Sequence, residues 1–124
     1  MSEQPLIEVD ASPTFNRNIR ILVKKYRNIR SDIQPVVNQL KRGELPGEEI
    51  PGIGFEVFKV RVRNSDVQKG KSGGYRLIYY LKTETSIILL TIYTKSEQAD
   101  VAADIVRGII AEYEQLPVEN EEEA

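Results

Sequence analysis

Residues Ser86 to Lys95 read SIILLTIYTK, and the run IILLTIY within them is apolar at odd and even positions alike. A strand sends successive side chains to opposite faces. A run of this kind therefore predicts a central strand covered on both sides over part of its length. That requirement limits the fold, because something apolar must pack on each face of the sheet.

The flanking sequence supplies both the sheet and its covers. Phe55–Arg63 alternates cleanly, with Phe58, Val60 and Val62 on one face and Lys59, Arg61 and Arg63 on the other. Tyr75–Lys82 is the next strand, joined to the apolar run by a short turn around Thr83–Ser86. Ser12-Pro13 gives an N-cap and a proline at the first helical position, and Phe15, Ile19, Leu22 and Tyr26 predict a helix over about 13–27. Ser31-Asp32 reads as a second cap, with Ile33, Val36, Val37 and Leu40 as one apolar stripe, Pro35 in the first turn and Gly43 just past the end. Residues 44–54 form a loop with room for a short strand, and Leu6–Val9 is a short β-compatible start. Ser96 is expected to cap a last helix carrying Val101, Ile105, Ile109 and Tyr113.

The expected order is β-α-α-β-β-β-α. This is an α+β fold in which an antiparallel-dominated twisted sheet packs on an N-terminal helical hairpin, with a C-terminal helix added. A chain of 124 residues suits a single domain, here 1–116, followed by an acidic tail, 117–124, expected to be disordered. No apolar run approaches the length of a membrane span and the N-terminus is not a signal peptide, so a cytoplasmic protein without a membrane partner is expected.

The chain has no cysteine and no histidine. A thiolate zinc site and histidine acid–base chemistry are thereby excluded, and no clustered carboxylates have metal-ligand spacing, so no metal and no cofactor are expected. Catalysis would have to use Lys, Arg, Tyr, Asp or Glu. Charge is concentrated where the strands lie. From Lys59 to Lys82 there are seven basic residues and one acid, Asp66, against a formal total of -2 for the chain. Lys59, Arg61 and Arg63 stand about 6.5–7 Å apart along one strand face, close to the spacing of phosphates in a nucleic-acid strand. Pairing with the next strand would set Arg76 beside Lys59 and Arg61, with Tyr80 and Lys82 farther along the same face. Such cations can stabilise a pentacovalent phosphate by charge, and a tyrosine can stack on a base. Tyr93 and Lys95 end the last strand within reach of the same cleft. Lys69 and Lys71 sit in a glycine-rich connection that reads as a basic rim for RNA. It is not a nucleotide-binding loop, because Ser65 stands where the first glycine should be and the segment leads into a strand. Glu97 and Asp100 read as acids at the start of the last helix. The basic face of the first helix (Arg17, Arg20, Lys24, Lys25, Arg27) reads mainly as a solvated surface.

The segments FKVRV (58–62), KGKSGGYRLIYY (69–80) and LLTIYTKSE (89–97) resemble the RelE/HigB family of toxin–antitoxin ribonucleases, in particular its HigB-like branch. The likeness covers roughly residues 15–115. It implies a RelE-like fold and a bacterial toxin that cleaves mRNA at the ribosome and so inhibits translation. The implied reaction is metal-independent: a ribose 2′-OH attacks the adjacent phosphate. Carried over by position, Lys59 and Arg61 match the family's strand cations and Arg76 its central arginine. Lys95 falls beside a further catalytic arginine position that Ser96 occupies, and the tyrosine of the RelE branch's last helix aligns near Ala102. These departures leave the general base unassigned; Tyr93 and Lys95, with Glu97 after them, are the candidates for the vacant catalytic places, and Arg63, Lys69, Lys71, Tyr80 and Lys82 are the RNA-binding set. The implied partners are the ribosome with its mRNA and a cognate antitoxin of helix-turn-helix type, through which alone operator DNA would be met. Two other functions fit the same sequence: a ParE-like gyrase inhibitor, and a non-catalytic RNA- or ribosome-binding protein.

Overall fold

A computed structural model describes residues 6–67, 74–98 and 100–123, with backbone only for 116–123. The chain is α+β, a five-stranded mixed sheet with three helices. Strand β1 (Glu8–Ala11) is followed by helices α1 (Pro13–Leu22) and α2 (Ile29–Lys41). Strands β2 (Glu48–Glu49), β3 (Val57–Val62), β4 (Tyr75–Thr83) and β5 (Ser86–Thr94) come next, and helix α3 (Ala103–Glu123) ends the chain. The sheet order is β1-β5-β4-β3-β2; β1 runs parallel to β5 and every other pair is antiparallel. Strand β5 thus lies inside the sheet, as its two-sided apolar run requires.

Each face has its own cover. On one, Phe15, Ile19 and Leu22 of α1 and Ile29, Ile33, Val36 and Leu40 of α2 pack on Val60, Val62, Tyr75, Leu77, Tyr79, Ile87, Leu89 and Ile92. On the other, Val106, Ile109 and Ile110 of α3 pack on Val57, Ile78, Tyr80, Ile88 and Leu90, with Ile53 and Tyr93 joining them. Tyr79 and Tyr80 are both buried, one under each cover. Tyr79 stacks on Phe58 and donates its hydroxyl to the carbonyl of Pro46 at 2.6 Å.

The helix ends differ from the expected ones for local reasons. Helix α1 starts as foreseen, Ser12 Oγ accepting the Phe15 N–H at 3.0 Å with Pro13 next to it. It stops at Leu22 rather than near residue 27, where the Lys24 and Lys25 N–H groups make tighter i→i−3 turns onto the Ile21 and Leu22 carbonyls. Helix α2 starts at Ile29, ahead of the Ser31-Asp32 cap. The Asp66 carboxylate, from beyond β3, takes both the backbone N–H and the side-chain amide of Asn28 at 2.9 Å each. Asp32 is engaged elsewhere, by the backbone N–H and hydroxyl of Ser65. Pro35 therefore lies inside the helix rather than in its first turn, on an exposed side where water can satisfy the freed carbonyl. Gly43 does follow the helix, at φ 89°. Helix α3 begins at Ala103, so Ser96 does not cap it. The Glu97 and Gln98 N–H groups instead turn back onto the Thr94 carbonyl. Helix α3 runs to Glu123, and the described side chains end at Gln115.

Candidate functional site

Strand register assembles the site. Arg61 is directly opposite Arg76 in the β3–β4 pair, and Arg76 is directly opposite Tyr93 in the β4–β5 pair. Directly opposed residues share a face, so Arg61, Arg76 and Tyr93 form one row across three strands on the α3 side of the sheet. Lys59 stands two residues along β3 from Arg61, also on that face, opposite Ile78. Helix α3 covers the row of Val57, Ile78 and Tyr80 and leaves the basic row at the sheet's end.

A β-bulge puts Tyr93 there. Ile78 pairs with Thr91 but Tyr79 pairs with Leu89, which leaves Leu90 as an extra residue on β5. Without it, Arg76 would face Ile92, and Tyr93 would turn to the other face beside the helices. One additional residue shifts the alternation and re-aims the end of the strand, as bulges beside functional sites do elsewhere.

The environment of the row is unusual. Arg76 is only 8% exposed, and its Nη1 donates to the carbonyl of Tyr75 at 3.2 Å. Among the described residues neither Arg61 nor Arg76 has a carboxylate partner, although the two cations are cross-strand neighbours. Tyr93 is 6% exposed and its hydroxyl is buried with no hydrogen-bond partner. Burial pushes that phenol above its ordinary value and the Asp100 carboxylate adds to the effect, while the Arg76 charge opposes it. Lys59 Nζ lies 3.5 Å from Asp100 Oδ1, in the segment between β5 and α3. Glycines let the backbone close up around these side chains. A Cβ on Gly74 would fall 2.7 Å from the Val62 carbonyl oxygen and 3.8 Å from Arg76 Nη1. One on Gly47, at φ 93°, would collide with the carbonyl of Lys59.

The remaining expected residues fall in three places. Arg63 and Lys95 are exposed at the same end of the sheet as Arg76, where the Lys95 N–H donates to the Gly74 carbonyl at 3.2 Å. Tyr80 and Lys82 do not join them. Tyr80 is buried under α3 with its ring edge-on to Phe55, centroids 5.5 Å apart. Lys82 is six residues from Arg76 along β4, about 20 Å. There it pairs with Glu114 at 3.5 Å and lies over the Tyr113 ring. Lys69 and Lys71 lie outside the described residues. Glu97 is not on the last helix but in the turn after β5. It lines, with Tyr93, a cleft of about 270 Å³ between α1 and α3, which exposed Ile21 and Ile105 flank.

Sequence reasoning treated Asp100 as a helix-end acid and missed its contact with Lys59, 41 positions away. Its only signal in the sequence is an acid a few residues past the strand that ends the basic cleft. No family model matches the chain. Among the described residues no helix is long and apolar enough to cross a membrane, and no three metal-ligating side chains gather.

Proposed function

We propose that the protein is a metal-independent endoribonuclease of the RelE/HigB kind, the toxin half of a toxin–antitoxin pair, cutting mRNA at the ribosome. The observation that carries this reading is the Arg61–Arg76–Tyr93 row with Lys59 beside it. A fold gains nothing in stability from two facing arginines and a buried, unpartnered hydroxyl. A site for a transferring phosphate gains a great deal from them. The resemblance in GYRLIYY and TIYTK adds the reaction class.

In the mechanism that follows, the ribose 2′-oxygen attacks the adjacent phosphorus, and a 2′,3′-cyclic phosphate and a 5′-hydroxyl are released. Arg76, held against its own strand, and Arg61 opposite it take the charge that grows on the non-bridging oxygens. Lys59 binds the neighbouring phosphate, and Arg63 and Lys95 extend the cationic track. Tyr93 is the proton donor to the departing 5′-oxygen. A phenol kept protonated by burial is suited to that role and unsuited to that of a base. Its hydroxyl exposes less than 1 Å², so a neighbouring segment must shift before an RNA oxygen can reach it. That burial is also the observation favouring a second reading, a non-catalytic RNA- or ribosome-binding protein.

Primer extension on mRNA from cells induced for the protein, beside the Arg76→Ala variant, tests the proposal. New 5′ ends with the parent chain, lost by about 10²–10³-fold in folded Arg76→Ala, are expected. Growth arrest without new ends selects the binding protein, and arrest with gyrase-dependent DNA breaks selects the ParE-like alternative.

A further inference from the structure

We infer that Asp100 is the general base of this site, accepting the proton of the attacking 2′-hydroxyl; the inference rests on the RNA-cleaving reading above. The mechanism needs a group that takes a proton at neutral pH. With no histidine in the chain, a carboxylate is the side chain whose ordinary pKa leaves it deprotonated, and ready to accept a proton, at neutral pH. Asp100 is the carboxylate in contact with a site cation, its Oδ1 3.5 Å from Lys59 Nζ. Glu48 is opposite Lys59 in the β2–β3 register but makes no ion pair with it. Glu97 lines, with Tyr93, the cleft between α1 and α3 and makes no ion pair among the described residues.

The local geometry suits a base. Asp100 Oδ1 also accepts the Val101 N–H at 3.0 Å, and Gln98 Nε2 donates to the Asp100 carbonyl at 3.0 Å, so the turn holds the carboxylate in place. Its other oxygen, Oδ2, accepts no hydrogen bond among the described residues, and the side chain is 68% exposed. A ribose hydroxyl can reach that oxygen while Lys59 holds the adjoining phosphate. The unpartnered Tyr93 hydroxyl belongs to the same neighbourhood, since the Asp100 charge acts on it.

The step balances. Asp100 takes the proton from O2′, the O2′–P bond forms, the P–O5′ bond breaks, and O5′ takes the Tyr93 proton. Proton exchange with water then restores both side chains. One carboxylate and one phenol thus divide the work, the first accepting a proton and the second, held protonated by its burial until the bond breaks, giving one up.

The test is single-turnover cleavage of mRNA on programmed ribosomes by the purified full-length protein, followed against pH on the acid side of neutrality. The titratable and charged groups beside Asp100 and its partners are Lys59 and Arg61 on β3, Glu48 on β2, Arg76 on β4 and Tyr93 on β5, and all are unchanged in the Asp100 variants. The wild type should lose rate in acid with a one-proton limb. Asp100→Asn, which keeps an oxygen for the Val101 N–H, should fall by about 10²–10⁴-fold in rate at unchanged KM and lose that limb. Asp100→Glu, which keeps a carboxylate, should retain the limb and part of the rate. Cleavage by Asp100→Asn at the wild-type rate, or faster with a lower KM, overturns the assignment and leaves Asp100 as a competitor of phosphate for Lys59. Wild type and Arg76→Ala that are equally inert on ribosomes overturn the RNA-cleaving reading itself.

Discussion

The two ends of the sheet face under α3 are made by the same strands and obey the same alternation, yet they are opposites. At one end Val57, Ile78, Tyr80, Ile88 and Leu90 are closed over by Val106, Ile109 and Ile110. At the other, two residues farther along β3 and β4, the same face carries Lys59, Arg61, Arg76 and Tyr93. The first end stores stability: apolar area is removed from water and few polar groups are stranded. The second end spends it, with like charges opposed across a strand pair and a hydroxyl left without a partner. Such local disagreement with the rules of folding is the pattern that binding and catalytic sites show, and it supports the proposed reading.

The contrast can be broken from either side. The largest effect is expected in alkali. Tyr75, Tyr79, Tyr80, Tyr93 and Tyr113 all have their phenols raised, chiefly by burial. In the unfolded chain they ionise near pH 10. Above that pH the unfolded state binds fewer protons than the folded one, so stability is full below about 10 and falls as pH rises further. Denaturant midpoints that stay level to about pH 9 and then drop, with tyrosinate absorbance rising in the same cooperative step, are the expected record. Next, Leu90→Ala at the covered end should cost about 2–5 kcal/mol in urea unfolding. Tyr93→Phe at the basic end should do the reverse, raising stability by about 1–3 kcal/mol by removing an unsatisfied hydroxyl. The same change should lower cleavage by about 10²-fold or more. The smallest effect is expected for Arg61→Gln, which relieves the charge opposed to Arg76 and should stabilise by about 0.2–1 kcal/mol while weakening RNA binding. If Tyr93→Phe and Arg61→Gln both destabilised the protein, the basic end would be an ordinary part of the fold.

Much of this architecture was legible in the residues. The two-sided run in β5 and the alternation in β3 are period-2 signals, and they gave the interior strand and the one-sided cations directly. The start of α1 was legible because Ser12 and Pro13 act on their own helix. The starts of α2 and α3 were not, because distant Asp66 holds the first and a turn on Thr94 delays the second. Tyr93 was within reach of the cleft by strand position, but its face depends on the Leu90 bulge, which a plain alternation does not register. Tyr80 and Lys82 share the parity of Arg76 and were grouped with it. Only the placement of α3 separates them, by putting Glu114 and Tyr113 over Lys82.

The parallel pairing of β1 with β5 has a further consequence, for the order in which the molecule can be made. Val9 sits beside Ile87, and Ser12 Oγ bonds to the carbonyl of Leu90, 78 positions later. The first strand synthesised therefore waits for the last before it has a neighbour, and contacts so far apart in sequence are slow to close. Every nascent chain that stops short of β5 lacks both the seat of the N-terminal strand and Tyr93. The cationic row can be completed only when nearly the whole polypeptide has emerged, so function should arrive in one step at the end of synthesis.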